Sequence, residues 1–321
     1  FLFLPLVSAE IIINQQPESI YSLGDLVTLA TTIKSSKNIA GNFYMDLVCS
    51  GRQENFYKNG VILSPGEEKK IEASLVLAKS VIGEMKGDCR IKAFFGGDYV
   101  LTNDFKISDA ITIKTTFNKI EFSPKDTITL SGEAVKENGK AVNGYIELSV
   151  VEESLKKLSQ MGTVNNGVFT ISLVLPENIK AGSYLLELNA YEQDIDDEKT
   201  NAGFLNQNIL VKQVPTSLEI VFDNSQIEPG TSLKVKVVLR DQTGEKIPSS
   251  TFVSVKNSDD KILEQVEIST DEFYEYPINY NELPSIWKIV AVSNKLTSES
   301  GFKILEKEAI DIKIENRTVT I

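Results

Sequence analysis

One pattern returns three times along this chain, each time as a turn followed by a strand in which apolar residues alternate. Ser22-Leu23-Gly24-Asp25 leads into Val27, Leu29 and Thr31; Ser123-Pro124-Lys125-Asp126 leads into Ile128, Leu130 and Gly132; Glu228-Pro229-Gly230-Thr231 leads into Leu233, Val235 and Val237. Alternation with period two places every second side chain on one face, as a strand buried on one side requires. A chain that repeats this unit must build several similar β-structures rather than one mixed core.

The copies agree beyond the opening strand. Val135-Lys136-Glu137-Asn138-Gly139-Lys140-Ala141-Val142 matches Leu239-Arg240-Asp241-Gln242-Thr243-Gly244-Glu245-Lys246-Ile247-Pro248, and each run offers a glycine where a hairpin connection needs positive φ. A second strand follows in each copy: Asn42 to Cys49, Tyr145 to Val150, and Thr251 to Val255. A late strand begins with Gly87-Asp88-Cys89, Gly182-Ser183-Tyr184 and Ser285-Ile286-Trp287, so that Cys89, Tyr184 and Trp287 share one structural position.

Repeats of about 100 residues with turn signals every 8 to 12 predict an all-β fold: three tandem immunoglobulin-like β-sandwich domains plus the start of a fourth. The length of 321 residues accommodates three such domains. The expected boundaries are 10–114, 115–214 and 215–306, with 307–321 as the first strand of a truncated further domain. The one helical-looking run, Glu152-Glu153-Ser154-Leu155-Lys156-Lys157-Leu158, aligns with Asp259-Asp260-Lys261-Ile262-Leu263 of the third copy, which predicts a hairpin in both.

Register also brings the two cysteines together. If Phe43, Met45, Leu47 and Cys49 face inward on one strand, and Cys89, Ile91 and Ala93 on the other, the sulfurs meet inside the first sandwich; the alternative is a pair of buried free thiols. A disulfide implies an oxidising compartment. Residues 1–9, Phe-Leu-Phe-Leu-Pro-Leu-Val-Ser-Ala, fit the remnant of a secretory signal peptide ending in a small-residue cleavage site, or else a buried first strand. The apolar run is too short to span a bilayer. The chain is therefore expected to be extracytoplasmic, secreted or anchored at a cell surface.

The turn, the Asn-Gly-Lys-Ala-Val hairpin and the run Ala181-Gly182-Ser183-Tyr184-Leu185-Leu186-Glu187-Leu188 together resemble macroglobulin-type and related bacterial and archaeal immunoglobulin-like repeats, over residues 115–306. The first domain departs from that pattern in its cysteine pair and longer middle section. Such repeats serve prokaryotic surface proteins as stalks, adhesive modules or envelope layers, and that is what the resemblance implies. Its motifs are turn and core residues, which specify fold and not activity. The Cys-x-Glu-Gln thioester run of α2-macroglobulins does not occur here.

Chemistry is sparse. With no histidine, the chain has no Ser-His-Asp or Cys-His triad, and most zinc sites are closed to it. No catalytic residue, no cofactor-binding residue and no metal ligand is expected. A formal charge of −12 argues against nucleic acid and anionic membranes as partners. Asp194, Asp196, Asp197 and Glu198 form the densest acidic run; it could at most hold Ca²⁺ weakly, against the alternative of a solvated loop. Tyr274, Tyr276 and Tyr280, with Asn279 and Asn281, offer either a sugar-binding aromatic platform or core packing. Asn316-Arg317-Thr318 is a glycosylation candidate at Asn316. The functional expectation is a non-catalytic structural or adhesive module that meets a surface protein, a glycan or further copies of itself, without membrane insertion in this segment. The alternatives are a macroglobulin-like protease-trapping or binding scaffold with its reactive part downstream, and the accessory domains of a secreted enzyme.

Overall fold

The computed structural model describes residues 9–151, 157–307, 313–315 and 318–320. Apart from Ala9 the signal-like run lies outside them, as do Glu152 to Lys156 and Asn316. The first sandwich comprises β1 (Ala9–Ile13), β2 (Ile20–Ser22), β3 (Leu26–Ser35), β4 (Ile39–Cys49), β5 (Arg52–Leu63), β6 (Glu68–Val76), the single helical turn α1 (Lys79–Ile82), β7 (Gly87–Phe95), β8 (Asp98–Leu101) and β9 (Phe105–Ser108). The second comprises β10 (Ile111–Thr115), β11 (Glu121–Phe122), β12 (Thr127–Lys136), β13 (Gly144–Val151), β14 (Lys157–Val164), β15 (Val168–Val174), β16 (Gly182–Gln193) and β17 (Lys199–Val211). The third comprises β18 (Pro215–Phe222), β19 (Gln226–Ile227), β20 (Ser232–Asp241), β21 (Ser250–Lys256), β22 (Ile262–Ser269), β23 (Phe273–Pro277), β24 (Ser285–Ser293) and β25 (Leu296–Ile304).

Three sheet pairs follow one plan. A three-stranded sheet (β1-β3-β6, β10-β12-β15 or β18-β20-β23) accompanies a larger one (β2-β9-β7-β4-β5, β11-β17-β16-β13-β14 or β19-β25-β24-β21-β22), and β8 adds to β7 in the first. The chain forms two compact units. One holds the first sandwich and most of the second; the other holds Glu121–Asp126, Leu175–Ser183 and the chain from Leu210 onward. Where a single last strand was expected, the described residues form two short antiparallel strands, β26 (Lys313–Glu315) and β27 (Thr318–Thr320). Ala9, placed in the signal-like run, is buried in β1 opposite Ser35.

The three opening turns are built alike. Asp25 N–H donates to the Ser22 carbonyl, Asp126 N–H to that of Ser123 and Thr231 N–H to that of Glu228. The residue before the last is left-handed each time: Gly24 at φ 88°, Lys125 at 68° and Gly230 at 90°. Glycine adopts this conformation without a Cβ penalty. In the first two turns the aspartate closes the loop on itself, its carboxylate accepting from the Ser22 or Ser123 N–H at 2.8 Å. Each turn then exchanges backbone bonds with a later segment: Gly24 and Asp25 with Leu77, Lys125 and Asp126 with Leu175, Gly230 and Thr231 with Ile278.

The strands that follow bury the predicted faces. Val27, Leu29 and Thr31 are sealed, as are Leu233, Val235 and Val237, together with Ile128 and Leu130. Gly132 stands in the same row because Phe169 opposite fills the space: a Cβ there would meet the Phe169 ring at 2.9 Å and the Lys114 carbonyl at 2.2 Å. The hairpins expected from the second and third copies are present as β13-β14 and β21-β22, with Asp259 and Asp260 in the turn and Ile262 opening the return strand. Helix α1 was not foreseen. It seats Ile82 in the core of the first sandwich, a single buried apolar residue that leaves no periodic signal.

Cys49 and Cys89 lie directly opposite one another on β4 and β7 and form a disulfide. With Phe43, Met45, Leu47, Ile91 and Ala93 they belong to the core of the first sandwich. The bridge closes a loop of sequence separation 40, for which the chain-entropy account gives about 4 kcal/mol of stabilisation. The double variant Cys49→Ala/Cys89→Ala is expected to lose about 3–4 kcal/mol in urea unfolding of the first sandwich, while the Trp287 fluorescence transition of the third keeps its midpoint.

Candidate functional site

The most elaborately bonded polar residues lie on one recurring hairpin. In the second sandwich it runs from Lys136 to Lys140, and in the third from Asp241 to Glu245. Gly139 N–H donates to the Lys136 carbonyl and Gly244 N–H to that of Asp241, with φ of 83° and 84°. These bonds pair Lys136 with Asp241, one position away from the match of Val135 with Leu239 that sequence comparison suggests. The hairpins are equal in length, and Glu137, Asn138 and Lys140 correspond to Gln242, Thr243 and Glu245.

The second sandwich's hairpin grips the end of the first. Glu137 accepts from Lys106 Nζ at 2.6 Å and from Ser108 Oγ, while its own N–H donates to the Ala110 carbonyl. Lys140 Nζ and Asn138 Nδ2 reach the opposite oxygens of Asp25 at 2.8 and 2.6 Å. Behind them, buried Asn201 donates both to the Leu23 carbonyl and to Glu192, which pairs with Lys136 at 3.2 Å. Glu192 also accepts from Asn143 N–H. Asp25 thus closes its own turn and receives the next sandwich with the same carboxylate.

The third sandwich's hairpin does the equivalent with an amide. Gln242 accepts from Val214 N–H at 2.8 Å and donates to the carbonyls of Lys212 and Ile179. Glu245 pairs with Lys180. Asp241, 2% exposed, organises the hairpin: one oxygen accepts from Thr243 N–H, Thr243 Oγ1 and Glu245 N–H, the other from Gln213 Nε2.

Burial alone would raise the carboxyl groups of both aspartates. Lys140, the Ser22 N–H and the field of Lys136 more than offset this at Asp25, and the donors from Gln213, Thr243 and Glu245 do so at Asp241, so both titrate below the ordinary aspartate range. Glu137 is held low by its bonds from Lys106 and Ser108.

The predicted candidates fall elsewhere. Asp194, Asp196, Asp197 and Glu198 form the tip of the β16-β17 connection, where the Asp194 carboxylate accepts from the N–H groups of Asp196 and Glu198, an Asx turn that explains why an aspartate leads the run. No group of three metal-type ligands converges among the described residues. Tyr274 and Tyr276 pack against the third core, with Tyr276 beside Trp287; burial and a hydrogen bond to Glu264 raise the Tyr274 phenol. Tyr280 is exposed beneath Lys307. The three tyrosines therefore form no common platform. Among the described residues no helix is long and apolar enough to cross a membrane.

No family model matches the sequence, and no curated protein matches it. Among solved structures, trypsin-activated alpha-2-macroglobulin from Escherichia coli is similar over 94% of this chain and 24% of that one, at 15% identity and a TM-score of 0.25. Salmonella alpha-2-macroglobulin reacted with methylamine is similar over 92% and 23%, at 14% identity and a TM-score of 0.26. Beta-glucosidase from Listeria innocua in complex with glucose matches 31% of this chain and 16% of its own, at 19% identity and a TM-score of 0.26. The chain thus spans about a quarter of the length of the alpha-2-macroglobulins it matches, and these distant likenesses assign it to no family.

Asp25 and Asp241 set the acid limit of the two junctions. A carboxyl whose folded pKa lies below its unfolded value contributes fully above the unfolded value, near 3.8 here, and loses that contribution as pH falls through the folded one. Thermal stability is expected to fall steeply below about pH 4. The Asp25→Asn/Asp241→Asn variant should be less stable at pH 7 and show a shallower acid limb in melting curves recorded from pH 7 to pH 2.

Proposed function

We propose that this chain is a non-catalytic, extracytoplasmic structural module, a spacer in which each connecting segment is held by the hairpin of the sandwich that follows it rather than left free. The observation that carries the reading is the repeated hairpin: in both copies its second residue, Glu137 or Gln242, bonds to the segment that joins its own sandwich to the one before. A freely jointed linker would leave its backbone groups to water; here the Glu137 N–H satisfies the Ala110 carbonyl, and the Gln242 amide satisfies the Val214 N–H and the Lys212 carbonyl. The exposed pairs Lys106–Glu137 and Lys180–Glu245 add little energy by themselves. The stronger contribution comes from the less exposed groups, Asn201, Glu192 and Asp25 at the first junction and Asp241 within its own hairpin.

The disulfide supports an oxidising compartment, and the charge of −12 disfavours nucleic acid as a partner. A surface protein, a glycan or another copy of the chain remains the fitting class of partner for such a module.

Limited proteolysis tests the junctions. The wild-type chain should resist cutting around 109–111 and 212–214. Glu137→Ala/Lys140→Ala/Asn201→Ala should open the first junction alone and Gln242→Ala the second alone. The triple variant removes five hydrogen bonds and Gln242→Ala three; with exposed bonds contributing little and the others about 1 kcal/mol each, the cleavage rate should rise about tenfold or more. Rapid cutting of the wild type at both junctions, or variants cut no faster than it, would overturn the proposal.

A further inference from the structure

The outer face of the first sandwich's larger sheet carries an aromatic row that register alone assembles. Tyr44 on β4 lies opposite Phe94 on β7, and Phe94 opposite Tyr99 on β8, while Lys58 on β5 flanks Tyr44 from the other side. The Tyr44 and Phe94 ring centroids are 6.3 Å apart. Lys58 Nζ lies 5.5 Å from the Tyr44 centroid and Lys92 Nζ lies 4.7 Å from that of Tyr99. Phe43, Met45, Ala93 and Phe95 fill the core from the alternate positions, so the row faces out.

A polar row runs beside it. Asp46 lies opposite Asn55 and Lys92, and its two oxygens accept from Asn55 Nδ2 and Gln53 Nε2, each at 2.6 Å. The register of β4 and β5 shifts between Met45 and Asp46, leaving Phe56 as an extra residue in β5. Such a bulge re-aims neighbouring side chains, and here Asn55 Nδ2 is held by the Met45 and Tyr57 carbonyls as well as by Asp46. Tyr44, Phe94, Lys58 and Lys92 with Asp46, Asn55 and Gln53 line an open recess of about 560 Å³, and Tyr99 lies beyond its edge.

The other two sandwiches supply an internal comparison. Tyr145 and Phe252 occupy the position of Tyr44, opposite Tyr191 and Val292. An outward aromatic at this position is thus a shared packing feature of the sheet. The adjoining row is Met161-Glu147-Asn189 in the second and Gln265-Ser254-Val290 in the third; neither row holds a cation, and the second sandwich's aromatic pair carries the single ammonium of Lys199 over Tyr191. Only the first sandwich combines a third ring with two ammonium groups, and neither Lys58 nor Lys92 pairs with a carboxylate among the described residues. Asp46 keeps its negative charge while two neutral amides orient it, so two ammonium groups against one carboxylate leave the recess with a net positive charge on a chain of net charge −12.

We propose that this recess binds an acidic saccharide, a hexuronate-bearing oligomer. The C–H face of a sugar ring is electropositive and stacks on the negative face of an aromatic ring. Tyr44 and Phe94, with ring centroids 6.3 Å apart, offer stacking faces on neighbouring strands, so an oligomer can engage more than one ring. Lys58 and Lys92 then meet carboxylates through charge-assisted bonds, and Asn55 and Gln53 face hydroxyls. This reading is independent of the spacer role and would make the module adhesive at one defined face.

The probes are trigalacturonic acid, its methyl ester, an alginate trisaccharide and hexaglutamate, titrated into the full chain and followed by backbone NMR shifts. Saturable binding of the two uronate oligomers is expected, with shifts confined to β4, β5, β7 and β8. Tyr44→Ala/Phe94→Ala should weaken it about tenfold, and Lys58→Gln/Lys92→Gln should bring trigalacturonic acid down to the level of its ester. Melting curves like the wild type's show that these outward substitutions leave the fold intact. If the double aromatic variant fails to fold, Lys58→Gln/Lys92→Gln alone decides. No saturable binding of either uronate oligomer, equal binding of acid and ester, equal binding of hexaglutamate, or shifts outside these strands would each overturn the proposal. None of these outcomes alters the junction cleavage pattern, so the two readings fail separately.

Discussion

The left-handed residue at the third position of each opening turn is the constraint from which the three sandwiches follow. Gly24, Lys125 and Gly230 reverse the chain tightly enough for the next residue to bond back across the turn, and the same residues bond outward to Leu77, Leu175 and Ile278. Those three partners are buried apolar residues just beyond the last strand of the small sheet or in the loop that leaves it. Each turn therefore fixes which way the alternating strand presents its apolar face. A one-residue slip would carry Val27, Leu29 and Thr31, or their counterparts, to solvent. Closure by a side chain is a second lock, and it differs among the copies: an aspartate carboxylate in two, and in the third the Thr231 hydroxyl donating to the Glu228 carbonyl.

This explains how much could be read from sequence. Turn chemistry and period-two burial are local, so the all-β plan, the inward faces and the hairpins were legible from residues near one another. The cysteine pairing was legible for a related reason: once two strands are known to face inward, neighbouring sulfurs need only matching register. What escaped lacked either a period or a local partner. Helix α1 is one turn with one buried side chain. Asn201 lies in a strand reading Lys-Thr-Asn-Ala-Gly and bonds to a carbonyl 178 residues away. Glu137 and Gln242 look like ordinary polar hairpin residues, and only the structure shows that both turn toward the preceding sandwich.

The aromatic candidates show the same limit from the other side. Tyr274 and Tyr276 share a face because they are two apart, which is as far as alternation reaches; whether that face is wet or dry depends on the partner sheet, and here it packs against Trp287 and its neighbours. Tyr44, Phe94 and Tyr99 lie on three strands, and their assembly depends on two registers at once. No local spacing encodes that. The acidic run at Asp194 is the converse case, a feature prominent in sequence whose leading carboxylate is occupied in shaping its own turn.

The outer sheet faces and the junctions face different physical demands, and this separates their chemistries. A junction must exclude water from polar backbone groups that a linker would otherwise expose, so it uses buried amides and carboxylates whose donors and acceptors are for the most part matched to one another, the Ser22 hydroxyl and the Asn201 Oδ1 being exceptions. Charges there are locked: Asp25 holds Lys140 and Asn138, and Asp241 holds Gln213. An outer face leaves no backbone groups of its central strands unpaired, because β4, β13 and β21 are each paired on both sides, and its side chains are free to differ among copies without loss of fold. Divergence should then collect on the faces while the hairpin geometry stays constant. The three sandwiches follow that division, with Gly139 and Gly244 within a degree of each other in φ while the rows beside Tyr44, Tyr145 and Phe252 differ, a lysine standing in the first, a methionine in the second and a valine in the third.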